Sequence, residues 1–178
     1  ILAQISIHAC MTGMRMATPL LALREGYSPA AVGVLLALFA LTQVFLSLPA
    51  GRYADRHGLK RPLAISVVVA SVGAATAVIF PVYPVLCLAA LCSGGASGAA
   101  IIALQRHVGR QAHDKVTLRK VFSWLAIGPA VSNFLGPFMA GLLIDYAGGE
   151  AASTTGFRAA FLLMALLPLS AWLWVRTL

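Results

Sequence analysis

Of 178 residues, 60% are hydrophobic and only 10% are charged, whereas a water-soluble domain carries about a quarter charged residues. An ordinary soluble enzyme or binding domain is excluded on that ground, and lipid is the natural solvent for the exterior. The net charge of +8 would suit a nucleic-acid surface only if it formed a patch, and its distribution along the chain argues otherwise.

A membrane-spanning helix needs about 20 predominantly apolar residues. Six stretches meet that length: 1–23, 29–50, 62–80, 84–104, 121–146 and 157–175. None shows the alternation of a barrel strand, so the expected fold class is all-α, a polytopic membrane protein with six transmembrane helices. The chain opens on Ile1 already inside a span with no basic stretch ahead of it. No signal peptide is expected, and a longer parent chain is.

The first span is the polar one. His8 and Arg15 lie seven residues apart and therefore on one helical face, which Gln4 and Thr12 extend. Ionisable groups inside a span are costly and usually face a cavity. Arg15 has no acidic partner within any span, so its counter-charge lies outside these helices or is the substrate. Snorkelling of Arg15 to the outer interface is the competing reading. Histidine titrates near about 6.5, so His8 suits binding or proton carriage, and equally a hydrogen-bonded packing role.

Ser28 followed by Pro29 reads as an N-cap and a helix-opening proline for the second span, which holds Gln43. After it comes GRYADRHGLKR, 51–61, read as a loop dense in charge. Pro62 and Pro84 stand near the starts of the third and fourth spans, and the fourth carries Ser93 and Ser97 with Ala90, Gly94 and Gly98 at four-residue spacing. A second basic loop is expected at 105–120, with Arg106, Arg110, Lys115, Arg119 and Lys120. The fifth span has Ser132 and Asn133, the small-residue stripe Gly128, Ser132, Gly136 and Ala140, and two prolines, Pro129 and Pro137, each able to bend it. Such stripes let helices approach closely in lipid. In the sixth span Trp172 and Trp174 read as interface anchors beside Arg176.

The positive-inside rule places the loops at 51–61 and 105–120, and with them both chain ends, in the cytoplasm. Topology thus accounts for the basic residues, and no nucleic-acid partner is expected. Cys10, Cys87 and Cys92 sit inside apolar spans with no metal-ligand spacing, so neither a metal nor a cofactor is expected.

GRYADRHG at 51–58 and GLLIDYAG at 141–148 share the pattern G-x-x-x-D-x-x-G, offset by 90 residues, and each closes the second span of a three-span group. The spans therefore form two repeats, about 1–80 and about 84–178, within one domain over 1–178. Three is odd, so the second copy enters the membrane from the opposite side. An inverted 3+3 arrangement is the architecture of many secondary transporters.

GRYADRHGLKR resembles the loop between the second and third helices of the major facilitator superfamily, G-x-x-x-D-R-x-G-x-[RK]-[RK]. Gly51, Asp55, Arg56, Gly58, Lys60 and Arg61 match it. Pro19-Leu20-Leu21, Gly33 and Pro49 also fall where such carriers place similar residues, and GFRAAF at 156–161 is similar to the opening of their sixth helix. Gly136-Pro137 with Gly141 resembles the proline–glycine motif of the antiporters, without the glycine pair that follows the proline there. The resemblance implies the N-terminal six-helix half of a twelve-helix carrier, moving a small solute by alternating access in a bacterial inner membrane. Its partners would be that solute, the C-terminal half and the bilayer. It implies a gating role for the 51–61 motif, with Asp55 paired to Arg56 or a nearby cation and favouring the positive N-terminus of a neighbouring helix. A charged loop that only sets topology is the alternative. The resemblance also places helices one, two, four and five around a cavity, which makes His8, Thr12, Arg15, Gln43, Ser97 and Asn133 its candidate lining. Proton-coupled members carry an arginine where Cys92 stands, so proton antiport by that route is not expected.

Two other classes compete. A membrane-embedded enzyme, such as a lipid-processing transferase, needs clustered carboxylates, and the five acidic residues include no D-x-x-D pair. A six-helix scaffold subunit would need no cavity at all.

Overall fold

The computed structural model describes residues 2–111, 115–147 and 154–176, without the side chains of residues 115 and 174–176. The expectations that rest on Gly148, Glu150, Trp174 and the Arg176 side chain lie outside the described residues. The described residues form six helices and no strand: α1 (Leu2–Arg24), α2 (Pro29–His57), α3 (Lys60–Ile79), α4 (Tyr83–Gln111), α5 (Lys115–Ala147) and α6 (Thr155–Arg176). Gly26, with φ 83°, turns the chain between α1 and α2. Ser28 Oγ then accepts the Ala31 amide at 3.2 Å with Pro29 as the first helical residue, as the cap signature requires.

The helices overrun the expected spans at one end of the bundle. Residues 51–57 are the last two turns of α2, not a loop, and only Gly58 and Leu59 separate α2 from α3. Residues 105–111 likewise belong to α4, and α5 already begins at Lys115. Apolarity measures the part of a helix in lipid, whereas arginine, lysine and glutamine extend a helix readily into water.

Five helices, α2 to α6, are long and apolar enough to cross a membrane. α1 is long enough, but Gln4, His8, Thr12 and Arg15 dilute its apolarity. Its burial explains why that is tolerated. Residues along almost its whole length, from Ala3 to Ala22, are buried against α4, α5 and α6. Gln4, His8 and Thr12 therefore meet protein rather than lipid, while Arg15 is exposed.

The most extensive pairings join α2 to α4, α1 to α5, α3 to α4, α3 to α6 and α1 to α6, and α1 also packs on α4. Small residues make the close contacts. A Cβ at Gly94 would strike the Phe39 backbone of α2, and one at Gly136 would strike the Ala9 carbonyl and the Gly13 amide of α1. All four members of the fifth-helix stripe, Gly128, Ser132, Gly136 and Ala140, are buried. Gly141 makes an ordinary contact with Met16, its Cβ position lying 3.4 Å from the methyl. Helix α5 continues through Pro129 and Pro137 without interruption.

Two sets of contacts define the ends of the bundle. At one end Tyr27 stacks on Tyr83 with centroids 4.8 Å apart, the Tyr83 hydroxyl donates to the Ala31 carbonyl at 2.7 Å, and Arg24 lies over the Phe157 ring. At the other end the C-terminus of α2 meets the C-terminus of α4, and the arginines and lysines gather there.

Candidate functional site

At the basic end Asp55, in the last turn of α2, accepts from two guanidinium groups at once. Arg106 Nη1 donates to Oδ2 and Arg110 Nη2 to Oδ1. The two arginines are four residues apart on α4 and so share one face. Arg56 is not the partner, because successive side chains on a helix point about 100° apart and Arg56 faces away from α4. The Asp55 side chain is 38% exposed, so solvent screening keeps each contact to about 1 kcal/mol at most. One carboxylate between two guanidinium groups leaves the cluster net positive.

The glycines of the motif act on this cluster in different ways. A Cβ at Gly51, one turn before Asp55, would lie 2.8 Å from Arg106 Nη2, so its absence lets the guanidinium lie across α2. Gly58 ends α2 with φ 71° and donates its N–H to the Ala54 carbonyl at 3.0 Å. A Cβ there would meet nothing within 4 Å, so backbone conformation rather than crowding calls for glycine. Arg56, Lys60 and Arg61 are exposed, and among the described residues no ion pair holds them.

Deeper in the bundle, α1 carries two polar groupings. His8 Nδ1 and Ser97 Oγ are 2.9 Å apart, both buried, and join α1 to α4. Thr12 Oγ1 donates to the Ser132 carbonyl at 2.8 Å and Ser132 Oγ to the Ile5 carbonyl at 3.1 Å, which joins α1 to α5. Beside the second grouping is an open cavity of about 280 Å³ lined by Thr12, Arg15, Met16, Asn133 and Pro137. The opposite side of α1 packs on α6, where Ser6 meets Ser170 at 3.0 Å and Gly13 abuts Met164. Arg15, two turns after His8, therefore emerges between the α4 and α5 sides of α1 and away from α6. No carboxylate lies within ion-pair distance of it among the described residues.

A second open cavity, of about 420 Å³, lies nearer the basic end between α2, α4 and α5, with Ser47, Gln105, Arg106 and Phe122 in its wall. Of the six residues expected to line a cavity, Thr12, Arg15 and Asn133 come together, and His8 and Ser97 form a separate buried pair. Gln43 joins neither. It packs on α4 where a Cβ at Gly98 would lie 3.1 Å from its Cγ. Cys92 faces Gly73 of α3 rather than either cavity. Among the described residues no group of three His, Cys, Asp or Glu side chains could hold a metal ion.

Sequence reasoning missed Arg106 and Arg110 as the partners of Asp55. Their four-residue spacing was the available signal, and it becomes visible only once 105–111 is read as helix.

No curated protein matches the chain. The family model described as Major Facilitator Superfamily matches residues 1–178, every position of the sequence. Five helices fit to cross a bilayer mark an integral membrane protein, in keeping with that match. By a match over its full length, the chain belongs to the Major Facilitator Superfamily, a family of membrane transporters of small solutes.

Proposed function

We propose that the chain is the N-terminal six-helix half of a twelve-helix secondary carrier that moves a small solute by alternating access. The observation that carries this reading is the exchange of packing partners. Replacing α1 by α4, α2 by α5 and α3 by α6 turns the α2–α4 pairing into α5–α1 and the α3–α4 pairing into α6–α1. All four are among the most extensive in the bundle. The α1–α4 and α3–α6 pairings map onto themselves, as pairings on a two-fold axis do. On this reading three spans reverse the chain direction, the axis lies in the membrane plane and the repeat is inverted.

Exposure on α2 and α5, which this exchange relates, supports the half-carrier reading. Val44, Phe45 and Leu48 on one and Phe134 and Phe138 on the other are exposed, apolar and available to a second half. The positive-inside rule assigns the basic end to the cytoplasm, with both ends of this segment on that side, in a bacterial inner membrane. There the Asp55 cluster braces α2 against α4, and about 1 kcal/mol is enough to bias two states separated by a few kcal/mol.

Counterflow in proteoliposomes containing the complete carrier tests the proposal. Saturable exchange of labelled for unlabelled solute is expected. Uptake equal to that of empty vesicles across a broad solute panel refutes it, and is what a scaffold subunit would give.

A further inference from the structure

We infer that the cavity between α1 and α5 takes the carboxylate of a small organic anion. Arg15 and Asn133 hold the charged head, and Met16 and Pro137 lie against its hydrocarbon part. The inference rests on the transport reading for its role, and on the chemistry of this site for its ligand class.

The starting point is an unbalanced charge. A guanidinium stays protonated and presents five donors, so within a membrane it needs an acceptor, and a carboxylate matches its fork with two parallel hydrogen bonds. The chain has five acidic residues, Glu25, Asp55, Asp114, Asp145 and Glu150, and none falls in the middle of a span. Asp55 is taken by Arg106 and Arg110 at the far end of the bundle. Glu25 is ten residues along the chain from Arg15 and Asp145 twelve from Asn133, each about 15–18 Å at helical rise. Asp114 follows the end of α4, and Glu150 follows the end of α5. The partner of Arg15 is therefore not among the acids of the described helices.

The walls narrow the class. Thr12 commits its hydroxyl to the Ser132 carbonyl, which leaves the Asn133 amide as the polar group beside Arg15. The remaining wall is Met16 and Pro137, apolar surface that an inorganic oxyanion cannot use and a short hydrocarbon can. A cation would be repelled, and a neutral solute would leave the guanidinium unbalanced. The larger cavity repeats the pattern nearer the basic end. Arg106 and Gln105, again an arginine with a primary amide, stand in its wall, but there the arginine is already paired with Asp55.

Two measurements on the complete carrier test the site. The first is thermal stabilisation in detergent by short mono- and dicarboxylates, inorganic phosphate, a neutral sugar and an organic amine. The second is uptake of the same solutes into proteoliposomes. Carboxylates should raise the melting temperature saturably and be taken up. Arg15→Ala should weaken both by roughly tenfold to a hundredfold, Arg15→Lys should restore little because an ammonium lacks the fork, and Asn133→Ala should weaken both severalfold. Stabilisation by carboxylates without uptake keeps the site and defeats the carrier. Uptake confined to neutral or cationic solutes defeats the inference and keeps the carrier, with Arg15 then paired to an acid outside this segment. Phosphate acting alone, carboxylate effects indifferent to Arg15→Ala, or no response to any carboxylate in either measurement also overturns it.

Discussion

Replacing Gly136 with alanine puts a methyl group where two helices already touch. The added Cβ would collide with Thr12 Oγ1 and the Ala9 carbonyl and lie 2.8 Å from the Gly13 amide nitrogen. Two of those three neighbours are backbone atoms of α1, which cannot rotate aside, so α1 and α5 must part. Overpacking of this kind costs about 1–3 kcal/mol. Parting also strains the Thr12–Ser132 and Ser132–Ile5 hydrogen bonds, now 2.8 and 3.1 Å, each worth about 0.6 kcal/mol in a membrane bundle. Alanine's better helix propensity returns up to about 1 kcal/mol, which leaves a net loss of about 1–3 kcal/mol. Gly33→Ala in α2 is the control, because a Cβ there meets nothing within 4 Å, and it should be neutral or slightly stabilising. Unfolding of the two variants of the complete carrier by SDS titration in mixed micelles reads the difference directly. A Gly136→Ala protein no less stable than Gly33→Ala would refute close packing of α1 on α5 through this residue.

Asp55→Asn leaves Arg106 and Arg110 facing each other without a carboxylate. Counterflow should fall by about fivefold to tenfold, the effect of about 1–1.4 kcal/mol on a two-state balance, with membrane insertion unchanged. Full counterflow would reduce the motif to a topology signal. Gly51→Ala moves only the mobile end of Arg106, so stability should change by no more than about 0.5 kcal/mol while counterflow drops part of the way towards the Asp55→Asn level. Wild-type counterflow in that variant would mean that Arg106 need not lie across α2. Gly58→Leu forces a branched side chain to φ 71° and should lower stability by about 1–2 kcal/mol in the same SDS titration. An unchanged midpoint would show that the α2–α3 turn can be remade without glycine.

Helix number, the Ser28 cap and the small-residue stripes were legible in the sequence because each is a local pattern with one physical cause. Helix ends were not. Apolarity stops at the edge of the lipid, but backbone hydrogen bonding continues through Arg52 to His57 and through Gln105 to Gln111. That misreading hid the Asp55 cluster, since Arg106 and Arg110 share a face only on a continuous helix. The cavity residues were legible in part. His8, Thr12 and Arg15 follow from helical spacing on α1, but which of α4 and α5 each would meet depends on tertiary packing. Periodicity could not separate the His8–Ser97 pair from the Thr12, Arg15 and Asn133 grouping. Gln43 illustrates the limit, for a polar residue in a span can as readily cover a glycine on its neighbour as line a cavity.

The polarity of α1 follows from its place in the bundle. A helix on the lipid side must be apolar around its exposed face, as α3 is with Ile65, Val68 and Val72. A helix enclosed by α4, α5 and α6 has no such requirement, because its neighbours supply acceptors. His8 finds Ser97, Ser6 finds Ser170, and Thr12 finds the Ser132 carbonyl. The helix that exchanges with it, α4, is buried through Ser93 and Ser97 in the same way. These two helices carry most of the buried polar side chains among the described residues, the others being Ser66 and Ser71 of α3 and Ser132 of α5, and they meet at the His8–Ser97 contact. Ser6, His8 and Thr12 are neutral and each is satisfied by a neighbour, whereas the buried Gln4 Oε1 has no hydrogen-bond partner among the described residues. Arg15, on the sector that neither α4, α5 nor α6 covers, carries a charge that nothing in the described helices balances, and that difference sets it apart from the packing residues around it.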